Sequence, residues 1–139
     1  KITDFGTTRD ANKEAFKKEG GLTKGIGTPI FQAPEIIDDR PYEMAADVYS
    51  FGIMMACTVL DKEEPFPETT DMSTPWAFAK AILKGDRPVI KADKHFPQQS
   101  MVDEMSHCWS ATSTNRPSFS HVASVLDGLF KKELTSETK

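Results

Sequence analysis

The chain has 139 residues, room for one domain with a buried core. Its formal net charge of -4 argues against a general grip on nucleic acid, which needs clustered Lys and Arg. It has no run of about 18 apolar residues that would span a membrane, and its two cysteines, Cys57 and Cys108, fit neither a disulfide framework nor a zinc motif.

The first residues, Lys1-Ile2-Thr3-Asp4, lack the apolar stretch of a signal peptide, so a reduced, cytoplasmic setting is expected. Ile2 and Thr3 form a short β-type run, and one or two short strands are expected at this end. Asp4-Phe5-Gly6 follows. Alone it is a common tripeptide that makes a tight turn; a carboxylate on such a turn is also a hard oxygen donor suited to Mg²⁺. A chain that opens on such a turn reads as a truncation or an incomplete gene model. Residues 7–27 are polar, broken by Gly20, Gly21, Gly25 and Gly27, and read as a long loop. Gly25-Ile26-Gly27 lacks the third glycine and the preceding strand of a nucleotide-binding turn.

Residues 34–39 suit a short helical turn. Residues 44–60 are apolar on nearly every side and predict a buried helix. Gly52 within it costs about 1 kcal/mol against Ala, so another element is expected to pack close to its backbone. An acidic loop covers 61–71. Thr74 then offers an N-cap, Pro75 a first helical residue and Gly85 a stop for a helix over 76–84. Proline-containing turns fill 86–97. A helix over 98–109 follows from Met101, Val102, Met105, Cys108 and Trp109 at helical spacing. After a polar loop, 110–115, a last helix carries Phe119, Val122, Ala123, Leu126, Leu129 and Phe130 on one face. His107 and Cys108 are adjacent on a helix and face different ways, so no metal site is argued from them. The expected fold class is mainly α.

Asp4-Phe5-Gly6 is followed, across the loop, by Gly27-Thr28-Pro29-Ile30-Phe31-Gln32-Ala33-Pro34-Glu35. That order resembles the activation segment of a eukaryotic-type protein kinase. Asp47-Val48-Tyr49-Ser50-Phe51-Gly52, Lys84-Gly85-Asp86-Arg87-Pro88, Cys108-Trp109 and Arg116-Pro117-Ser118-Phe119 match later family motifs in the right order. The resemblance covers almost the whole chain. The closing pairs resemble tyrosine kinases and the tyrosine-kinase-like group, whereas Gly27-Thr28-Pro29 points to serine/threonine specificity.

The resemblance implies the C-terminal, large lobe of the kinase fold, incomplete. Residues 1–134 would be a partial kinase domain, with 1–39 the activation segment, 40–134 a helical subdomain and 135–139 a polar tail. ATP and Mg²⁺ are the implied cofactors and a protein the implied substrate, with Asp4 the metal and cofactor ligand. Thr28 would lie beside the substrate hydroxyl. Phe5, Gly6, Glu35, Asp47 and Arg116 would be structural: Glu35 and Arg116 as a buried ion pair, Asp47 as a buried acceptor for backbone N–H groups of the catalytic loop. Thr7, Thr8 and Thr23 are candidate phosphoacceptors, since a phosphate adds about -1.5 to -2 charge and can order a loop. The helix starting near Trp76 is a possible docking element, with core packing of Trp76 or Phe78 the alternative. Where the family has Asp-Pro, this chain has Thr112-Ser113, which is expected to loosen the loop before Arg116. The Gly-rich loop, the strand Lys, the catalytic Asp and its Asn all lie N-terminal to the Asp4 position in the family. No catalytic residue is therefore assigned. A truncated pseudokinase that binds proteins is the alternative reading, and a poorly soluble fragment a third.

Overall fold

Five α-helices and two 3-10 turns make up the computed structural model, which describes residues 29–93 and 97–136, with side chains through residue 132. The helices are α1 (Pro34–Ile37), α2 (Ala45–Leu60), α3 (Pro75–Lys84), α4 (Gln99–Cys108) and α5 (Phe119–Ser136); the 3-10 turns are Pro29–Phe31 and Ser113–Asn115. The mainly helical expectation holds among the described residues. The strands expected around Ile2 and Thr3 lie outside them.

α2 is the hub because its inner side is apolar over four turns. Val48, Tyr49, Ile53 and Ala56 are buried there, and α4 brings Met105 and Cys108 against them. The expected close approach at Gly52 is α4 itself: a Cβ added at Gly52 would lie 2.7 Å from the Cys108 Cβ and 3.4 Å from Trp109 Cε3. Glycine is the residue that lets two backbones come this near.

The expectation that α2 is buried all round does not hold. Asp47, Phe51, Met54 and Thr58 recur at helical spacing on one outer stripe; Asp47, Met54 and Thr58 are exposed, and Phe51 is half-buried. Phe51 finds one edge-on neighbour there, Phe119 at the start of α5, with ring centroids 5.7 Å apart. α2 ends at Asp61, which takes a left-handed conformation (φ 51°) and donates its N–H to the Cys57 carbonyl. Short polar side chains tolerate that conformation better than bulky ones.

α3 starts and stops where its sequence predicts. Thr74 Oγ1 accepts the Ala77 N–H at 3.0 Å, Pro75 occupies the first turn, and Gly85 closes the helix at φ 112°. Phe78 is buried edge-on to Phe66, with ring centroids 5.0 Å apart. α4 turns Val102, Met105 and Cys108 inward. Of the six residues expected on one face of α5, Val122 is fully buried and Leu126 and Leu129 half-buried, while Phe119, Ala123 and Phe130 are exposed. That face is therefore covered only along its middle.

At Thr112-Ser113, where a looser loop is expected, the chain enters a 3-10 turn over Ser113–Asn115. Asn115 N–H donates to the Thr112 carbonyl at 3.1 Å and Arg116 N–H to the Ser113 carbonyl at 3.1 Å, so a 3-10 turn orders the approach to Arg116. Hydroxyl residues suit such turns.

Candidate functional site

The site is assembled around the Arg116 guanidinium, which is fully buried. Its Nη1 donates to Glu35 Oε1 at 2.7 Å and its Nη2 to Glu35 Oε2 at 2.8 Å, across 81 positions of sequence. This parallel two-bond geometry matches the fork of a guanidinium to a carboxylate. Nη1 also donates to the Ala45 carbonyl at 2.8 Å, and Nε to the Ser110 carbonyl at 3.0 Å. One side chain thus joins α1, the first residue of α2 and the loop after α4. Burying two charges is expensive unless they are paired and hydrogen-bonded; here they are paired, and the guanidinium makes four hydrogen bonds.

The Glu35 carboxyl responds to this setting. Burial pulls its pKa up, but the Arg116 hydrogen bonds, its own backbone bond and the charges of Arg116 and Arg40 outweigh burial. Its pKa falls below the ordinary 4.5. The neighbouring backbone is fixed as well. Ala33 and Pro34 are buried, and Ser50 Oγ donates to the Phe31 carbonyl at 2.8 Å, tying the stretch before α1 onto α2.

Tyr49 extends the cluster. Its buried ring has the Arg116 guanidinium over it at 5.1 Å and that of Arg87 at 5.3 Å. Arg87 Nε donates to the Trp109 carbonyl at 2.9 Å, and its Nη1 to the carbonyls of Ile82 and Asp86 at 3.0 and 2.7 Å. The end of α3 is thereby tied to the same core. The sequence motifs that contain Tyr49 and Arg87 assign neither residue a role. A signal was present for Arg87: a cation just past the glycine stop of a helix is placed to bond the helix's last carbonyls. The Tyr49 hydroxyl is buried with no hydrogen-bond partner among the described residues.

Asp47 corrects the expectation of a buried carboxylate. It is exposed on the outer stripe of α2. Partial desolvation beside the helix still raises its pKa above the ordinary 3.8. Exposure decides its state: water solvates the group where no described element covers it. Asp4, Phe5, Gly6, Thr7, Thr8, Thr23 and Thr28 lie outside the described residues.

Trp76 is 73% exposed and Phe78 3%, so the docking and core alternatives divide between the two rings. His107 points outward while Cys108 is buried, its thiol pushed up to about 12 by burial and by the Glu104 carboxylate. No group of three or more His, Cys, Asp or Glu side chains that could hold a metal occurs among the described residues. No helix among them is long and apolar enough to cross a membrane. An open groove of about 780 Å³ borders the Pro29–Phe31 turn, with Ile30 and Phe31 on one side and Cys57, Thr58, Asp61 and Glu63 among the residues opposite.

A family model described as protein tyrosine and serine/threonine kinase matches residues 1–126. The RGS domain-containing serine/threonine-protein kinase A of Dictyostelium discoideum is 32% identical over 93% of this chain and 10% of its own length. From the same organism, the dual specificity protein kinase shkD is 37% identical over 88% of this chain and 15% of its own length. The dual specificity protein kinase shkC is 32% identical over 91% of this chain and 24% of its own length. The chain therefore spans a quarter or less of each of these relatives.

Proposed function

This chain belongs to the protein tyrosine and serine/threonine kinase family, and we propose that it forms part of a kinase that transfers the γ-phosphate of ATP to Ser or Thr of proteins. The Glu35–Arg116 pair carries this reading. In the proposed arrangement it clamps the far end of the activation segment to the helical lobe, while Asp4 anchors the near end. The clamp fixes the stretch that follows Thr28, and the groove beside Pro29–Phe31 gives a substrate backbone a place to lie.

Mg²⁺ and ATP would be held in part through Asp4. A carboxylate fits this hard cation, and the described residues offer no competing cluster. Bound there, the metal would neutralise phosphate charge. The chain's own described residues contribute elsewhere: they hold the substrate side of the lobe rigid. The Gly-rich loop, strand Lys, catalytic Asp and Asn are absent from these 139 residues. The chain alone is therefore expected to transfer no phosphate, and the uncovered apolar side chains of α2, Met54 and Phe51, are expected to make it poorly soluble. Thr7, Thr8 and Thr23 are proposed phosphoacceptors that would order the loop, and the cytoplasm is the proposed location.

The test is to extend the transcript toward its 5′ end and assay the longer product. The expected result is a His-Arg-Asp motif and a strand Lys upstream, with Mg²⁺-dependent phosphorylation of Ser or Thr. Measurable transfer by the 139-residue chain alone would contradict the division of labour described here. One observation favours a second reading, a truncated pseudokinase acting as a binding module: the exposure of Trp76. An upstream frame lacking the Lys and the catalytic Asp would select it.

A further inference from the structure

Among the described residues, one hydroxyl side chain is followed directly by proline: Thr74, before Pro75. Both residues are exposed. The backbone at Thr74 is extended (φ -145°, ψ 156°), as a following proline ring favours. Its nearest hydroxyl neighbours in sequence are engaged or hidden. Ser73 Oγ already donates to Asp71 Oδ1 at 2.6 Å, and Thr70 is buried. Thr74 Oγ1 accepts the Ala77 N–H at 3.0 Å and makes no further bond among the described residues, so its own hydrogen is uncommitted. The segment also opens easily. Helix ends fray, Pro75 has no N–H, and the first N–H groups of a helix have no intrahelical partner. α3 carries no acidic residue in its first turn, so no carboxylate of its own complements the partial positive charge there.

We propose that Thr74 is a phosphoacceptor for a proline-directed serine/threonine kinase, and that its phosphate caps α3 more strongly than the hydroxyl does. Thr74 Oγ1 attacks the γ-phosphorus of Mg²⁺-bound ATP held by that enzyme. The Oγ1–P bond forms, the bond from the γ-phosphorus to the β,γ-bridging oxygen breaks, and ADP leaves. The hydroxyl proton passes to the enzyme's catalytic carboxylate. The product carries about -1.5 to -2 charge and three acceptor oxygens. These face the N–H groups of the first turn, where an anion is favoured. Asp71 opposes this as a like charge, but it is exposed, so water and salt screen it. The chain is here the substrate of another enzyme, so the site stands whether or not its own parent transfers phosphate.

The experiment treats the full folded chain with a purified proline-directed kinase and Mg²⁺-ATP. It maps phosphate by tandem mass spectrometry and follows thermal unfolding by circular dichroism. A Thr28→Ala background leaves Thr74 as the one Thr-Pro of the chain. Phosphate is expected on Thr74, and on the serine of Thr74→Ser, which keeps the cap. Pro75→Ala leaves the acceptor in place and should remove most of the incorporation. The phosphorylated chain should melt about 2–4 °C above the unmodified one. No phosphate on Thr74, or phosphate there only after unfolding in urea, would overturn the proposal. So would equal incorporation in Pro75→Ala, or a melting midpoint that falls on phosphorylation.

Discussion

Two carboxylates only twelve positions apart in sequence, Glu35 and Asp47, meet opposite fates. Glu35 is buried, takes two bonds from Arg116, and has its pKa lowered. Asp47 sits in the first turn of α2 on the exposed stripe, with its pKa raised by partial desolvation. Both match kinase motifs, so motif content does not separate them. What separates them is where the partner lies. Arg116 belongs to the same helical body and reaches Glu35 through a turn ordered by its own backbone bonds. The partner implied for Asp47 is a catalytic loop that these 139 residues do not contain. Glu35 is folded into the interior where Arg116 of the same chain supplies its counter-charge and its hydrogen bonds.

The contrast can be broken hardest at Arg116. Arg116→Ala leaves Glu35 buried and unpaired and frees the carbonyls of Ala45 and Ser110. We expect a loss of about 3–5 kcal/mol in denaturant unfolding, a large share of the roughly 5–15 kcal/mol available to a domain. Gly52→Ala comes next. Its new Cβ meets the Cys108 Cβ at 2.7 Å, and α4 must shift to admit it. A cost of about 1–3 kcal/mol is expected, even though Ala is the better helix former; thermal unfolding followed by circular dichroism measures it. Removing the cap with Thr74→Ala deletes the bond to the Ala77 N–H and should cost about 1 kcal/mol in the same assay. The smallest effect is expected at Asp47. Asp47→Asn in this chain should stay within about 0.5 kcal/mol of wild type. In a longer chain that includes the catalytic loop the cost should rise to about 1–3 kcal/mol, because backbone donors would then lose their acceptor. An equal effect in both chains would end the contrast.

Much of the fold was legible because local rules and packing agree. Thr74, Pro75 and Gly85 specify the ends of α3 through backbone chemistry that tertiary context does not override. Gly52 foretold a close approach, although not that α4 would be the neighbour. The Glu35–Arg116 pair was legible only through resemblance; nothing in the local sequence says that residues 81 positions apart will meet. The role of Arg87 and Tyr49 was missed because stacking of a guanidinium on a ring leaves no mark on periodicity. The outer stripe of α2 was misread for a related reason. Phe51 and Met54 look like core residues, but burial depends on what covers them, and the covering element is not encoded in the helix itself. Trp76 and Phe78 show the same ambiguity at a spacing of two, where one ring must face outward if the other faces inward.

The most direct test is a double-mutant cycle on Glu35→Gln and Arg116→Met, measured by denaturant unfolding across pH. Because the folded pKa of Glu35 lies below its ordinary 4.5, the pair's contribution is fully present above that pH. It is lost as pH falls through the lowered value. A coupling of about 2 kcal/mol or more at neutral pH, shrinking under acid, is the predicted result. A coupling below about 0.5 kcal/mol at neutral pH, or one indifferent to acid, would show that no charged clamp holds the segment before α1 to the helical lobe.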